Sequence, residues 1–592
     1  MADSARKTDK KVDIPPPPDA SPTFRRVCDV AAVVVAVGAL LMLWSLRNKP
    51  VTWPSDHFSD MHALMSGQNF AEHGFFRLRF LPVNYVGNIG DNPFYYLHYP
   101  PLPNVANGLL RVVGVDSVAG MRMFSSLLFV LGLYAVYRAF AGLIGPLAAV
   151  CGMGFLSLTA YTVSYGMSLH THTYNVLFLG LFLWLFRRAV DGEGPSSRGS
   201  KATWVGCWVV LVLASLTSFE FIMYAQVFAW LYVLATGRIR TRWPALVLLG
   251  TAPVFGVALH FLQNVWAVGW AAAWADKLGF GFWGDKSRWH YWGRLPELLL
   301  SYSFRSYHWP WTVLPVAGVA CLLLAERTRL AGVNVRRASA ILLACTLAPL
   351  AWYLFLPGHI DSHPHTANQM FPLVWVTMGG AVGLAVYALG RRATPWPLRI
   401  VSAVAVIAIL QTQLRGVWRQ VSHSGTLPTT VMAEALGAAD VLPDNVAVIF
   451  NTAVAAQFAY YIERPAWRCP SQGVRFPDAL PEFRKHVPEG HELKYYVFFG
   501  PPGRQYMDLL QYLAGRCPGR LLQVPGLRNP QRYIILFDIT ELHKPPEQRR
   551  PLAPSVKEAQ LRGGFAPWDI PNFAQLIQQA WRNQTGQQAP SP

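Results

Sequence analysis

Apolar residues come in long blocks along most of this chain, not in the alternation of a half-buried strand or the single stripe of a surface helix. A membrane-crossing helix needs roughly 20 predominantly apolar residues. Such blocks fall at about 28–46, 118–140, 142–160, 173–188, 203–219, 220–236, 243–262, 310–325, 338–356, 368–390 and 398–414. The pattern predicts a mainly α polytopic membrane protein of about eleven transmembrane helices over 28–414, with Ser218-Phe219-Glu220 dividing the tight pair at 203–236. Past about 415 the apolar runs shorten to strand length at Val446–Phe450, Tyr495–Phe499 and Tyr533–Phe537, with helical patterning between them. These runs predict a small α/β domain over 415–573. The charged, proline-containing stretch 1–27 and the Gln-, Asn- and Pro-rich stretch 574–592 are predicted to be disordered. The first apolar run is too long, and lacks the cleavage site, for a removable signal peptide, so it is expected to persist as an anchor.

Composition agrees with the pattern and adds an orientation. Of 592 residues 52% are hydrophobic and only 14% charged, well below the ~25% charged residues of soluble domains. The formal charge of +19 is therefore expected in cytoplasmic loops beside anionic lipid, and nucleic-acid binding is a poor reading of it. With the N-terminus in the cytoplasm, the inner segments hold Arg138, Arg187, Arg188, Arg238, Arg240, Arg242, Arg327, Arg329, Arg336, Arg337, Arg391 and Arg392, among others. The short outer turns near 158–173, 216–222 and 357–369 hold no Lys or Arg. This asymmetry predicts an extracytoplasmic C-terminal domain and two long outer loops, about 47–117 and 263–309. Five of the seven cysteines lie in or next to the spans. Cys469 and Cys517 lie in the α/β domain, where a disulfide and two free thiols both fit.

Long loops are where function concentrates. The first opens with Ser55-Asp56-His57-Phe58-Ser59-Asp60-Met61-His62 and continues through Asn69 and Gly74 to His98-Tyr99-Pro100-Pro101-Leu102. A carboxylate there can accept a proton from an incoming hydroxyl or amine; equally, Asp56 or Asp60 can cap the helix that follows. Other ionisable groups sit at outer span ends: His170 and His172, Glu220, and His359, Asp361, His363 and His365. Such groups are costly at a membrane edge and read as lining one outer cavity, against the plainer reading of interfacial side chains bonded to loop carbonyls. The three histidines and the aspartate within 359–365 invite a metal reading, but His363-Pro364-His365 is an extended pair rather than two ligands at helical spacing. Tryptophans crowd 266–292 beyond what an interfacial belt requires, and sugar stacking or cover for a prenyl chain is one reading. Gly-Lys-Ser/Thr does not occur, which argues against an ATP-driven pump.

The order of elements in the first loop resembles the GT-C superfamily of membrane glycosyltransferases. It has an acidic residue past the first span, a helix ending in Asn69-x-x-x-x-Gly74, then an aromatic-basic-Pro-Pro-Leu segment entering the next span. The likeness is to the branch holding protein O-mannosyltransferases and bacterial aminoarabinose transferases. It implies a bacterial inner-membrane enzyme that takes a sugar from a polyprenyl-phosphate donor and inverts the anomeric centre, transferring it to an extracytoplasmic glycan, lipid-linked or protein acceptor. It also implies Asp60 as general base, with Asp56 as the alternative. The aminoarabinose transferases have Lys-Pro-Pro-Leu where this chain has Tyr99-Pro100-Pro101-Leu102, leaving His98 as the nearest group able to carry positive charge. Inverting displacement needs electrostatic stabilisation of the departing phosphate more than an acid. Arg122 is the first candidate, with Arg305, His308, Arg77 and Arg79 behind it. Arg122 also reads as an interfacial arginine that snorkels. No cofactor is obligatory on this reading, although a divalent cation remains compatible with phosphate chemistry. The alternative is a secondary transporter or flippase for a lipid-linked or anionic substrate. That alternative predicts internal repeats and broken spans at the midplane, whereas the ionisable residues here lie at one face.

Overall fold

The computed structural model describes residues 21–49, 57–191, 198–279, 293, 295–298, 335–355, 370–390, 395–422, 442–450, 455–468, 476–499, 509, 512–513, 516–517, 519–522, 534–544 and 546–548. The predicted span 310–325 lies outside them, as do Asp56, Arg305, His308, His363, His365 and Cys469.

Helix α1 (Pro22–Ser45) starts ahead of the predicted 28, because the Ser21 hydroxyl accepts from the Phe24 amide at 3.1 Å and Pro22 occupies the first turn. Its small stripe Cys28, Ala32, Ala36 and Ala39 is buried, while Val30, Val34 and Leu41 on the other side are exposed. This is the division expected of a helix at the lipid-facing edge of a bundle. Two helices of the first loop follow, α2 (His57–His73) and α3 (Leu102–Val112), and then α4 (Val118–Ala141), α5 (Pro146–Ser157), α6 (Ala160–Tyr165), α7 (Thr171–Asp191), α8 (Arg198–Ser215) and α9 (Phe219–Ala235). The apolar block 142–160 thus holds one short helix, α5, and ends where Thr159 caps α6 through the Thr162 amide. Helices α4 and α7 pack closely because Gly132 leaves no Cβ between them. A Cβ there would stand 2.7 Å from the Leu177 backbone.

Helix α10 (Ile239–Val268) is the longest of the described helices. Its 30 residues span ~45 Å, more than the ~30 Å hydrocarbon core of a bilayer, and its C-terminal end, at Gln263 and Asn264, bonds to the first-loop residues Arg79, Phe80 and Leu97. A short helix α11 (Trp270–Gly279) continues from it. Part of the region predicted as an outer loop from 263 is therefore helical. Next come α12 (Val335–Phe355), α13 (Phe371–Gly390) and α14 (Trp396–Ser422), the last running unbroken past the predicted boundary at 414. Among the described residues, five helices are long and apolar enough to cross a membrane by length and composition, and five shorter ones are apolar.

The C-terminal region forms a five-stranded mixed sheet in the order β2-β1-β3-β5-β4. Its strands are β1 (Val446–Phe450), β2 (Ala466–Arg468), β3 (Glu492–Phe499), β4 (Gly519–Leu522) and β5 (Ile534–Asp538), with helices α15 (Ala455–Ile462) and α16 (Phe476–Arg484). Strand β1 is buried along its whole length, as a strand covered on both faces must be. One face, with Val446, Val448 and Phe450, shares a core with Met61, Leu64 and Met65 of α2 and with Phe458 and Ile462 of α15. The other, with Ala447, Ile449, Tyr496 and Phe537, packs on Phe70, Leu78, Val83, Tyr85 and Ile89 of the first loop. Both faces of the sheet are therefore finished by residues from the loop that follows α1.

A histidine beside the sheet makes stability depend on pH. His543 Nε2 lies 2.6 Å from the Leu493 carbonyl, and Arg484 Nε donates to His543 Nδ1 at 2.8 Å. This arrangement suits the neutral ring, and burial, with the Arg484 charge, holds its pKa below the usual 6.5. The unfolded chain then binds more protons in this window. The stabilisation is present above pH 6.5 and is lost as pH falls from there through the folded value. Thermal unfolding of the full-length protein from pH 7.5 down to 5.5 is expected to show a falling midpoint. His543→Gln should flatten that slope, and an unchanged slope would remove His543 as its source.

Candidate active site

Asp60 lies in the first turn of α2 and is 1% exposed. It is the fourth residue of that helix, inside its first turn and past the N-cap position. Its Oδ1 accepts from the Ser168 hydroxyl at 2.7 Å and from the Leu169 amide at 2.8 Å, so the carboxylate bonds across to the turn between α6 and α7. That turn is pinned from two sides. Thr173 Oγ1 donates to the Ser168 carbonyl at 2.9 Å, and Asn107 Nδ2 of α3 donates to the Leu169 carbonyl at 2.7 Å. His170 is buried in the same turn and His172 just beyond it, at the start of α7; the His170 amide donates to Ser168 Oγ at 3.3 Å, and the His172 ring lies 4.4 Å from that of Tyr165. Among the described residues, no three His, Cys, Asp or Glu side chains gather closely enough to hold a metal ion.

Arg122, in the first turns of α4, is equally buried. Its guanidinium donates to the Arg47 carbonyl at 3.1 Å and to that of Lys49, tying the C-terminal end of α1 to α4. An interfacial arginine that snorkels into water would not be enclosed in this way. Asp60 and Tyr461 of α15 lie within electrostatic range of it. Burial, with the neighbouring Tyr460, pushes the Tyr461 phenol above its ordinary range, so it stands there neutral. The site thus brings together a carboxylate from α2, a cation from α4 and a phenol from the C-terminal region.

Glu220 is buried in the first turn of α9, whose N-cap Ser218 accepts from the Glu220 amide at 3.3 Å. The Leu102 amide, at the start of α3, donates to the Leu216 carbonyl at 3.0 Å, which brings the Tyr99-Pro100-Pro101-Leu102 segment to this turn. His98 itself lies 2.9 Å from Asp276 of α11, Nδ1 to Oδ1. His260 Nε2 and Asn264 Nδ2 of α10 hold the adjacent Leu97 carbonyl at 3.1 and 3.2 Å.

Arg79 does not serve as a cation for a substrate in this structure. Its Nη1 donates to the carbonyls of Trp266, at 2.8 Å, and Ala267, closing the last turn of α10, a good place for positive charge. Arg79 and Phe80 both adopt positive φ, 54° and 57°, at a cost of roughly 1–3 kcal/mol each. Gln263 of α10 holds that kink by donating to both of their carbonyls at 3.1 and 2.9 Å. Arg77 is exposed beside Asp91. Asn69 also turns out to be structural. Its amide donates to the Val83 and Tyr85 carbonyls at 3.1 and 2.7 Å, fixing the returning strand of the loop against α2. Asp276 and Tyr461 carry no local sequence signal for their places here; each reaches the loop from a distant element.

A family model described as dolichyl-phosphate-mannose-protein mannosyltransferase matches residues 98–260. No curated protein matches the sequence. Among solved structures, the fold is similar to that of ArnT from Cupriavidus metallidurans bound to undecaprenyl phosphate, at 17% identity and TM-score 0.52, covering 87% of this chain and 99% of that one. It is also similar to the oligosaccharyltransferase of Archaeoglobus fulgidus in its apo form, at 11% identity and TM-score 0.52, covering 88% of this chain and 77% of that one. The archaeal oligosaccharyltransferase AglB from Archaeoglobus fulgidus, in complex with an inhibitory peptide and a dolichol-phosphate, matches at 12% identity and TM-score 0.51, covering 85% of this chain and 75% of that one. The chain is a multi-pass membrane protein that shares the fold of these structures.

Proposed function

We propose that this protein is an inverting glycosyltransferase that moves a sugar from a polyprenyl-phosphate donor to an extracytoplasmic glycan, lipid-linked or protein acceptor. The observation that carries the reading is Asp60. It is a carboxylate on a loop helix, enclosed with Arg122 and bonded to the α6–α7 turn, inside a fold similar to those of proteins solved with undecaprenyl phosphate and with a dolichol-phosphate. In the reaction, Asp60 takes the acceptor proton as the new bond forms at the anomeric carbon, and the phosphate leaves with the electrons of the broken bond. Arg122 supplies positive potential next to that centre. The cations able to meet the phosphate directly are His98, beside Tyr99, and, outside the described residues, Arg305 and His308. Glu220, His170 and His172 belong to the enclosing wall, to which His363 and His365 are assigned by sequence alone. The scheme calls for no cofactor, and it places the enzyme in a bacterial inner membrane with its C-terminal domain outside.

The test is transfer of radiolabelled sugar from a panel of polyprenyl-phosphate sugars by membranes containing the protein. Consumption of one donor, with label appearing in an acceptor fraction, is the expected result. Label that crosses the bilayer still attached to its lipid, with no transfer from any donor, would favour the transporter or flippase reading instead.

A further inference from the structure

Among the described residues, the most exposed large apolar side chain is Phe76, at 77%. It stands on the turn that follows α2, and that turn is not built like a loop in water. The amides of Gly74, Leu78, Arg79, Phe80 and Leu81 donate to carbonyls of the turn itself or of the end of α2, at 2.9–3.2 Å. The carbonyls of Arg79 and Phe80, at the two positive φ angles, are taken by Gln263 of α10. The rings run inward in contact. Phe76 stands edge-on to Phe80 at 5.1 Å, Phe80 is tilted on Phe75 at 5.9 Å, and Phe75 stacks on the buried Phe70 of α2 at 5.0 Å. An exposed apolar residue by itself needs no explanation. One at the end of a supported row of rings, on a turn whose strain is held from another helix, points to a use.

What holds the turn also fixes its depth. The apolar block 243–262 of α10 has the length that crosses a ~30 Å hydrocarbon core at ~1.5 Å per residue, and Trp266 follows one turn later. Trp266, Trp270 and Trp274 are exposed at the end of the apolar stripe that carries Val254 and Leu262, and tryptophans so placed mark the headgroup level of a bilayer. Arg79 bonds to the carbonyls of Trp266 and Ala267, so the turn is tied to α10 at that level. Arg77 is engaged with the Gly90 carbonyl at 3.1 Å and with Asp91 at 3.5 Å, which leaves the Phe76 ring as the group offered to the lipid.

We propose that the turn 74–80 is a membrane anchor of the first loop. Phe76 enters the bilayer at headgroup level beside the exposed tryptophans of α10 and α11, and it holds the C-terminal end of α2 against the lipid. The bilayer that α10 crosses is the partner of this face, because the patch continues the lipid-facing stripe of that helix and its neighbours are interfacial tryptophans. Backbone groups that are already paired can leave water without penalty. The contact reaches α2, the helix of Asp60, through Phe80, Phe75 and Phe70. The inference therefore concerns how the site is held at the membrane surface, and it does not depend on what the site transfers.

The experiment replaces Phe76 by the photoreactive analogue p-azidophenylalanine in the full-length protein, held in nanodiscs of phosphatidylethanolamine and phosphatidylglycerol. The same replacement at Val254, on the exposed stripe of α10, and at Glu489, exposed between α16 and β3, gives the comparison. After irradiation, mass spectrometry should find lipid adducts at 76 as abundant as those at 254, and none at 489. Adducts at 76 no more abundant than at 489, or cross-links from 76 to the protein alone, would overturn the inference. Tryptic cleavage after Arg77 is the second readout. In nanodiscs Phe76→Ser should be cut several-fold faster than wild type with its thermal midpoint unchanged, and hydrogen exchange in the last turn of α2 should rise with it. Phe76→Trp keeps an interfacial ring and should be cut as slowly as wild type. Equal cleavage of wild type and Phe76→Ser would overturn the anchor, and so would Phe76→Trp cut as fast as Phe76→Ser. None of these readouts uses sugar transfer, so the anchor and the proposed function fail separately.

Discussion

Asp60→Asn is expected to lower sugar transfer roughly 10³-fold, within the range that a positioned general base contributes, and to leave the protein folded. Asparagine keeps the shape of aspartate and an oxygen able to accept from Ser168 and the Leu169 amide, the two bonds that fix the side chain now. It cannot take a proton from the acceptor, and it removes the negative charge facing Arg122. The loss should therefore fall on turnover more than on donor binding. Asp56→Asn provides the comparison. Asp56 directly precedes α2, so a capping role would cost about 1 kcal/mol of stability and little turnover. The measurement is single-turnover transfer from a saturating donor, with binding of undecaprenyl phosphate and the thermal midpoint taken on the same preparations. Wild-type turnover in Asp60→Asn would end its assignment as the base, and a loss in Asp56→Asn alone would move the role to Asp56.

Why part of this could be read from the sequence, and part could not, follows from the range of the forces involved. Helices α4, α7 and α10 are written locally, since a bilayer demands a long apolar run and little else. The break between α8 and α9 is local too, set by Ser218 capping the helix that bears Glu220. Contacts across the loop have no such record. Asp60 meets Ser168 over a sequence separation of 108 residues. Asp276 sits on an alanine- and tryptophan-rich helix that, read by itself, announces only an interface. Arg79 was plausible as a phosphate ligand because its charge was visible, whereas the carbonyls of Trp266 and Ala267 that take its donors were not. Charge is legible in a sequence; whether a charge is already engaged depends on the tertiary fold. The relation of the C-terminal region to the loop is of the same kind. Strand-length apolar runs predict a small separate domain, but the alternating faces of β1, β3 and β5 do not say that both will be completed by residues from 61–89.

Trp467→Ala tests that relation, and its effect should be large. Trp467 of β2 is buried, with Tyr85 of the first loop edge-on at 5.6 Å and Phe483 of α16 at 6.2 Å. Truncating a buried tryptophan costs about 3–5 kcal/mol, and here the cavity opens at the seam between sheet and loop. Tyr85 is also where Asn69 anchors the loop to α2, so the disturbance reaches the helix that carries Asp60 by a short path. Loss of transfer should therefore accompany the loss of stability. Limited proteolysis should cut both the first loop and the C-terminal region sooner than in wild type, at the same rate as each other. A C-terminal domain tethered only to recruit acceptors predicts something else: local unfolding around 442–548, with the first loop still resistant and transfer to a small soluble acceptor still at the wild-type rate. That second pattern would show the sheet to be detachable. The first would make it part of the support that holds Asp60 in place, in which case substitutions at the sheet–loop seam belong with those of the active site when their effects on turnover are interpreted.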